Sequence, residues 1–244
     1  MRPLLFHWRG LTFWAYPTFL YIGLVAGVFA GNAAAHASGL DAFRVFAATF
    51  VLIPAALVGA RLLYVACNWH RFRADLGRIW NKSDGGAAQY GGLVVGIPLS
   101  FPLLWLLDLP FGAFWDVGGI TILVGMVLTR VGCLLNGCCA GRPTTSWLGV
   151  PLPNRAGVWT RRFPTQCLEA ALALTLVVTA TLLWNVMPFP GALFAFVVGG
   201  YGAGRLVLES MRDLPPGRRF TPQHAISLVL VVVAAAALTI GWTS

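Results

Sequence analysis

Seven long apolar runs, separated by short polar or glycine- and proline-rich stretches, set the pattern of this chain: about 12–30, 43–67, 90–107, 112–135, 165–187, 190–210 and 224–242. A helix that crosses a membrane needs roughly 20 mostly apolar residues, which is the length of these runs. None alternates in the way a barrel strand does. Backbone polar groups in lipid have to be satisfied within each segment, so the runs are predicted to be helices. The expected fold class is all-α: a polytopic membrane protein of seven transmembrane helices with a small extramembrane arm or head region. A single transmembrane domain, 1–244, is expected. The stretch 137–164, with Pro143, Pro151, Pro153, Arg155, Arg161 and Arg162, is too long for a simple helix hairpin and reads as a surface arm between spans four and five.

The punctuation refines this outline. Met1 to Gly10 is basic and Ala35-His36-Ala37 resembles the end of a secretory signal, but the apolar stretch between them exceeds the usual signal core, so an uncleaved first span is expected. Trp14, Tyr16 and Tyr21 suit an interfacial belt, and 31–42 reads as a small apolar loop. Pro98 and Pro102 predict kinks in span three. The glycine-dense stretch from Asp84 to Gly92 predicts non-helical backbone lining a cavity.

Composition agrees with a membrane protein: 58% of residues are hydrophobic and 10% are charged. The net charge of +9 sits in loops beside apolar spans, which fits anionic lipid headgroups and argues against nucleic acid. Thirteen of the 17 basic residues fall in loops on the side of Met1, and Arg44 alone falls in loops on the other. By the positive-inside rule, the Met1 side faces the cytoplasm.

Polar residues inside the spans carry the candidate chemistry. A charged side chain in a membrane segment costs about 2.5 to 3.5 kcal/mol on insertion scales and normally faces a bundle interior or a water-filled cavity. Arg130, in the stretch TRVGCLLNGCCAGR that closes span four, is the first candidate, and Gly132, Gly137 and Gly141 around it free the backbone for close approach. Arg205, Glu209 and Arg212 are spaced four and three apart, so they share a helix face and can pair. Arg61 stands near Tyr64 on one face of span two, with snorkelling to the interface as the simpler reading. Glu169 near the start of span five has a structural explanation in the helix dipole. Adjacent Cys138 and Cys139 lack the spaced pairs of common zinc sites, so no metal is assigned, a redox or metal role being the least favoured of three readings of Cys133, Cys138 and Cys139, and no cofactor is expected. Packing as small hydrophobes accounts for them, while Cys138 and Cys139 near Arg130 are candidate nucleophiles able to carry a group transiently.

From about Tyr16 to Gln223 the chain resembles the prolipoprotein diacylglyceryl transferase family. The likeness rests on VGARLLYV, DGGAAQYGG, TRVGCLLNGCCAGR, FPTQCLEA, YGAGRLVLESMR and the neighbourhood of Gln223, in this order on an apolar background. It implies seven helices, a head region outside the bilayer and lateral openings for lipid. It also implies transfer of the diacylglyceryl group of phosphatidylglycerol to a cysteine thiol of a lipoprotein precursor in the bacterial cytoplasmic (inner) membrane, with release of glycerol phosphate. By the same resemblance Arg130 and Arg205 stabilise the phosphate and Glu209 is their acidic partner. Tyr16, Asn136, Gly141 and Tyr201 match site positions, with Arg61, Gly137, Arg142 and Arg212 alongside as substrate-binding candidates.

The departures are specific. Tyr90 stands where the family commonly has a histidine, and a phenol of reference pKa about 10 is a poor base at neutral pH, although it can donate to phosphate. Cys133 and Cys138 stand where an asparagine and a glutamate are common. Two alternatives therefore stay open: a divergent paralogue passing a lipid- or glycerol-derived group to another acceptor, and a non-catalytic anionic-lipid-binding membrane protein. The family pattern also places the N-terminus and the site outside the cytoplasm, opposite to the charge rule.

Overall fold

The computed structural model describes residues 4–81, 88, 90–153, 157–214 and 220–243. Two antiparallel strands, β1 (Leu4–Trp8) and β2 (Leu11–Trp14), open the chain. The turn between them places Arg9 (φ 47°) and Gly10 (φ 81°) at positive φ, as a two-residue hairpin requires. The helices follow: α1 (Ala15–Ala37), α2 (Ala42–Cys67), the single turn α3 (Trp69–Phe72), α4 (Tyr90–Leu106) and α5 (Phe111–Asn136). A second hairpin, β3 (Val150–Pro153) and β4 (Trp159–Arg162), precedes α6 (Thr165–Leu183), α7 (Ala192–Ser210) and α8 (Pro222–Thr243).

Among the described residues, six helices are long and apolar enough to cross a membrane, and α4 is a shorter apolar helix of 17 residues. Large apolar side chains such as Phe29, Phe43, Trp105 and Leu182 stand exposed on them, the expected condition of a lipid-facing surface. This is a multi-pass membrane protein. Several expectations need correction. The loop expected over 31–42 is helical to Ala37, because NAAAHA is rich in the best helix former, and the turn comes at Gly39 with φ 73°. The basic stretch after α2 is partly helical, with α3 and a 3₁₀ turn over Leu76–Trp80. Of the glycine-dense stretch, Asp84 to Ala87 and Gln89 lie outside the described residues, whereas Tyr90, Gly91 and Gly92 begin α4 and are helical. Both hairpins are additions to the expected all-helical pattern.

The chain divides into two compact units, Met1–Ala34 with Trp115–Ser244, and Ala35–Phe114. In the second unit α4 returns along α2. The two helices touch backbone to backbone at Gly59 and Gly91, where any Cβ would meet the opposite main chain. Such close approach by small residues is the usual means of helix association in lipid, where no hydrophobic drive separates helix from tail.

In the first unit the same device joins α1 to α5. Gly23, Gly27 and Gly31 recur every four residues and face Gly125 and Thr121, and a Cβ at Gly23 would lie 2.6 Å from the Gly125 carbonyl oxygen. At the far end from the hairpin, Asp116 accepts hydrogen bonds from the backbone N–H groups of Gly191 (2.7 Å) and Phe194 (2.8 Å), satisfying donors that the start of α7 leaves open. In this unit Ala15 lies against Gly132, so the start of α1 and the end of α5 share one face with the polar cluster.

Candidate active site

Glu169, the fifth residue of α6 and 2% exposed, is the hub of that cluster. Its Oε1 accepts from Arg130 Nη2 at 2.6 Å and from the Tyr201 hydroxyl at 2.5 Å, and its Oε2 accepts from Arg205 Nη1 at 2.9 Å. Arg130 comes from α5, Tyr201 and Arg205 from α7, so one carboxylate ties three helices together. The second carboxylate extends the network. Glu209 lies 2.8 Å from Arg205 Nη2 and 3.7 Å from Arg212 Nη1, and its Oε1 accepts from the Thr221 hydroxyl at 3.1 Å. Thr221 in turn lies 3.0 Å from His224 Nδ1, at the start of α8. Three guanidinium groups thus surround two carboxylates, leaving one positive charge in excess. Removing one partner of a buried pair of this kind costs about 3 to 5 kcal/mol.

Arg130, Arg205, Glu209 and Tyr201 therefore assemble, with Arg212 at their edge. They do so as a closed cluster: Arg130 is 9% exposed and Arg205 is 5% exposed. The expectation of guanidinium groups open in a cavity needs correcting on this point, because Glu169 fills the space between them. A surface depression of about 460 Å³ lies instead among Arg142, Thr144, Arg161 and Phe163.

The loop after α5 is held in one shape. Asn136 is exposed at the helix end, and Gly137 terminates the helix with φ 69°. Cys139 holds φ 59°, which costs a non-glycine residue about 1 to 2 kcal/mol. Bonds from α6 stabilise it: Gln166 Nε2 donates to the Cys138 carbonyl at 2.7 Å and the Thr165 hydroxyl donates to the Cys139 carbonyl at 2.8 Å. Gly141 packs directly on the Phe163 carbonyl, where no side chain fits, and pairs with Arg212. Arg142 donates its backbone N–H to Met211 (2.9 Å) and lays its guanidinium over the Phe163 ring. Arg162 donates to the Gly141 carbonyl and to Asp213 (2.7 Å).

Three cysteines meet beside Arg130. The sulfurs of Cys133, Cys138 and Cys139 all lie within 4.8 Å of one another, and Arg130 Nη1 is 4.0 Å from Cys133 Sγ. Tyr16, in the first turn of α1, is close enough to feel the charge of all three and of Arg130. The Cys139 thiol is held well below the ordinary cysteine range by hydrogen bonds with Cys133 and Cys138, which together with Arg212 and Arg130 outweigh its burial.

Two predicted site residues belong to the other unit. Arg61 donates to the carbonyls of Ile79 (2.7 Å), Arg78 and Asn81, and stacks near Tyr64 and Phe72, so it braces the segment after α3. Tyr90 is buried at the start of α4. Sequence reading left Glu169 to the helix dipole and did not single out Gln166, Thr221 or His224 as site residues. The available signal for Glu169 was a carboxylate at the head of an apolar run of membrane length. Gln166 gave none, because its partner Cys138 is 28 residues away, and the Thr221–His224 contact, three residues apart, becomes part of the cluster only through Glu209.

The family model for prolipoprotein diacylglyceryl transferase matches residues 3–240, with the whole cluster inside the matched region. The chain belongs to the prolipoprotein diacylglyceryl transferase family. Relatives include phosphatidylglycerol–prolipoprotein diacylglyceryl transferases of Streptococcus pyogenes serotype M5 (strain Manfredo) and serotype M1. Each is 28% identical over 216 residues, covering 86% of this chain and 80% of the relative. Family membership makes the protein a transferase of the diacylglyceryl transferase type.

Proposed function

We propose that this protein moves the diacylglyceryl group of phosphatidylglycerol onto the cysteine thiol of a lipoprotein precursor in the bacterial cytoplasmic membrane. The observation that carries the reading is the convergence of Arg130, Arg205 and Arg212 on two buried carboxylates, with positive charge in excess, on this family's scaffold. In the reaction the bond between the diacylglyceryl carbon and the phosphate oxygen breaks as a sulfur–carbon bond forms. The electron pair leaves on glycerol phosphate, and the thiol gives up its proton. Preorganised guanidinium groups stabilise the charge that develops on phosphate. Because Glu169 engages two of them, an incoming headgroup has to compete with that carboxylate. The hairpin within 137–164 is proposed to lie over the membrane surface and shield the site from water.

The proton needs an acceptor, and a phenol such as Tyr90 is a poor one. His224 is the proposed base. The Thr221 backbone N–H donates to His224 Nδ1 at 3.2 Å, and the Thr221 hydroxyl, 3.0 Å from the same nitrogen, donates to Glu209, so the imidazole is linked through Thr221 to a buried carboxylate.

A second reading keeps the lipid donor and changes the acceptor. Cys133 and Cys138 favour it, since they replace polar residues beside Arg130. Incubating the purified protein with labelled phosphatidylglycerol and a lipobox peptide separates the readings. Glycerol phosphate release with peptide modification supports the first, and release without modification moves the acceptor elsewhere. Binding without release would overturn the transferase reading for this member.

A further inference from the structure

We infer that Cys133, Cys138 and Cys139 form a three-thiolate site for a thiophilic metal ion of the zinc class. Four observations converge on it. The three sulfurs lie within 4.8 Å of one another, although the residues come from the buried end of α5 and from the loop beyond it. In a tetrahedral zinc site with zinc–sulfur bonds of about 2.3 Å, sulfurs stand about 3.8 Å apart, so the ligands need to move by no more than about 1 Å. The loop is also preformed, since Gln166 and Thr165 fix the carbonyls of Cys138 and Cys139 and sustain the left-handed backbone of Cys139. Packing of small hydrophobes requires no such bracing. The charge is suitable too: three thiolates around a dication leave one negative charge, and Arg130 Nη1 lies 4.0 Å from Cys133 Sγ. Finally, Gln166 is 1% exposed, and its Oε1 has no hydrogen-bond partner among the described residues while its Nε2 holds the Cys138 carbonyl. That acceptor suits a metal-bound water.

Three protein ligands leave the fourth position of the metal for an exogenous ligand, the arrangement that separates catalytic from structural zinc. Sulfur-rich donor sets select zinc and cuprous copper over magnesium, calcium or manganese. Binding replaces three S–H bonds with three sulfur–metal bonds, releases the protons to solvent and transfers no electron. The inference stands apart from the transferase reading, because its readouts are of metal binding alone.

The test uses the full chain in detergent, kept reduced and stripped of metal, titrated with zinc chloride alone and separately with cadmium chloride. One equivalent is expected to bind, with a thiolate-to-metal charge-transfer band for cadmium and protection of three thiols from maleimide. Cys138→Ser and Cys139→Ser should each weaken binding at least tenfold, while Cys67→Ser and Cys167→Ser should leave it unchanged. Cys133 is buried, so the loop variants carry the test if Cys133→Ser fails to fold. Metal uptake that ignores Cys138→Ser and Cys139→Ser, or magnesium competing equally with zinc, would overturn the site, as would the absence of any thiolate band.

Discussion

At the scale of single residues, Glu169 does most to organise the site. A lone carboxylate near the start of a helix is ordinary, and the helix dipole offers an account of it without reference to other residues. What makes it unusual is its position between Arg130 and Arg205, 36 residues from the second of these along the chain. A guanidinium binds phosphate and carboxylate in two-pronged fashion, which an ammonium cannot copy. Arg130→Lys keeps the charge that Glu169 needs, so the protein should stay folded while turnover falls about 100-fold or more. Labelled-lipid turnover on a monodisperse preparation checks this, and full activity would take Arg130 out of the mechanism. His224→Gln should also cut turnover strongly, with partial recovery on adding imidazole. A variant that is fully active, or slow but indifferent to imidazole, would leave His224 as a structural partner of Thr221.

At the scale of elements, the glycines of α1 decide how closely the helices approach. Gly23, Gly27 and Gly31 present a smooth strip to α5, and at Gly27 any added Cβ meets the Thr121 carbonyl. Gly27→Val should push the two helices apart and destabilise the first unit by about 1 to 3 kcal/mol. A drop in thermal midpoint in detergent would show this, and an unchanged midpoint would mean that α1 and α5 do not rely on that contact. The spacing of four was visible in the sequence, but which helix would meet the strip was not. Asp116 teaches the same lesson: along the chain it is a lone acid near the start of an apolar run, and in the fold it caps α7 from α5.

At the scale of the whole molecule, what the arginines do bears on which way the charge rule can be read. Arg142, Arg162 and Arg212 engage Phe163, Asp213 and Glu209 on the face that carries the cluster, so part of the basic excess there belongs to the site's own construction. That weakens the charge rule as a guide and favours the family arrangement, with the cluster face outside. A reporter fused after Ser244 should therefore give a cytoplasmic signal, since α8 starts on the cluster face and ends on the other. An external signal would turn the molecule over and restore the charge rule. The sequence by itself determined the apolar runs, their helical form, the charged residues at their ends and the family, because each depends on local composition or on order along the chain. Only the tertiary structure decided that Glu169 holds the arginines, that three cysteines share one pocket of space and that His224 reaches Glu209. The first relation depends on distances between helices far apart in sequence and the other two on how short connecting segments fold back, and no local pattern encodes either.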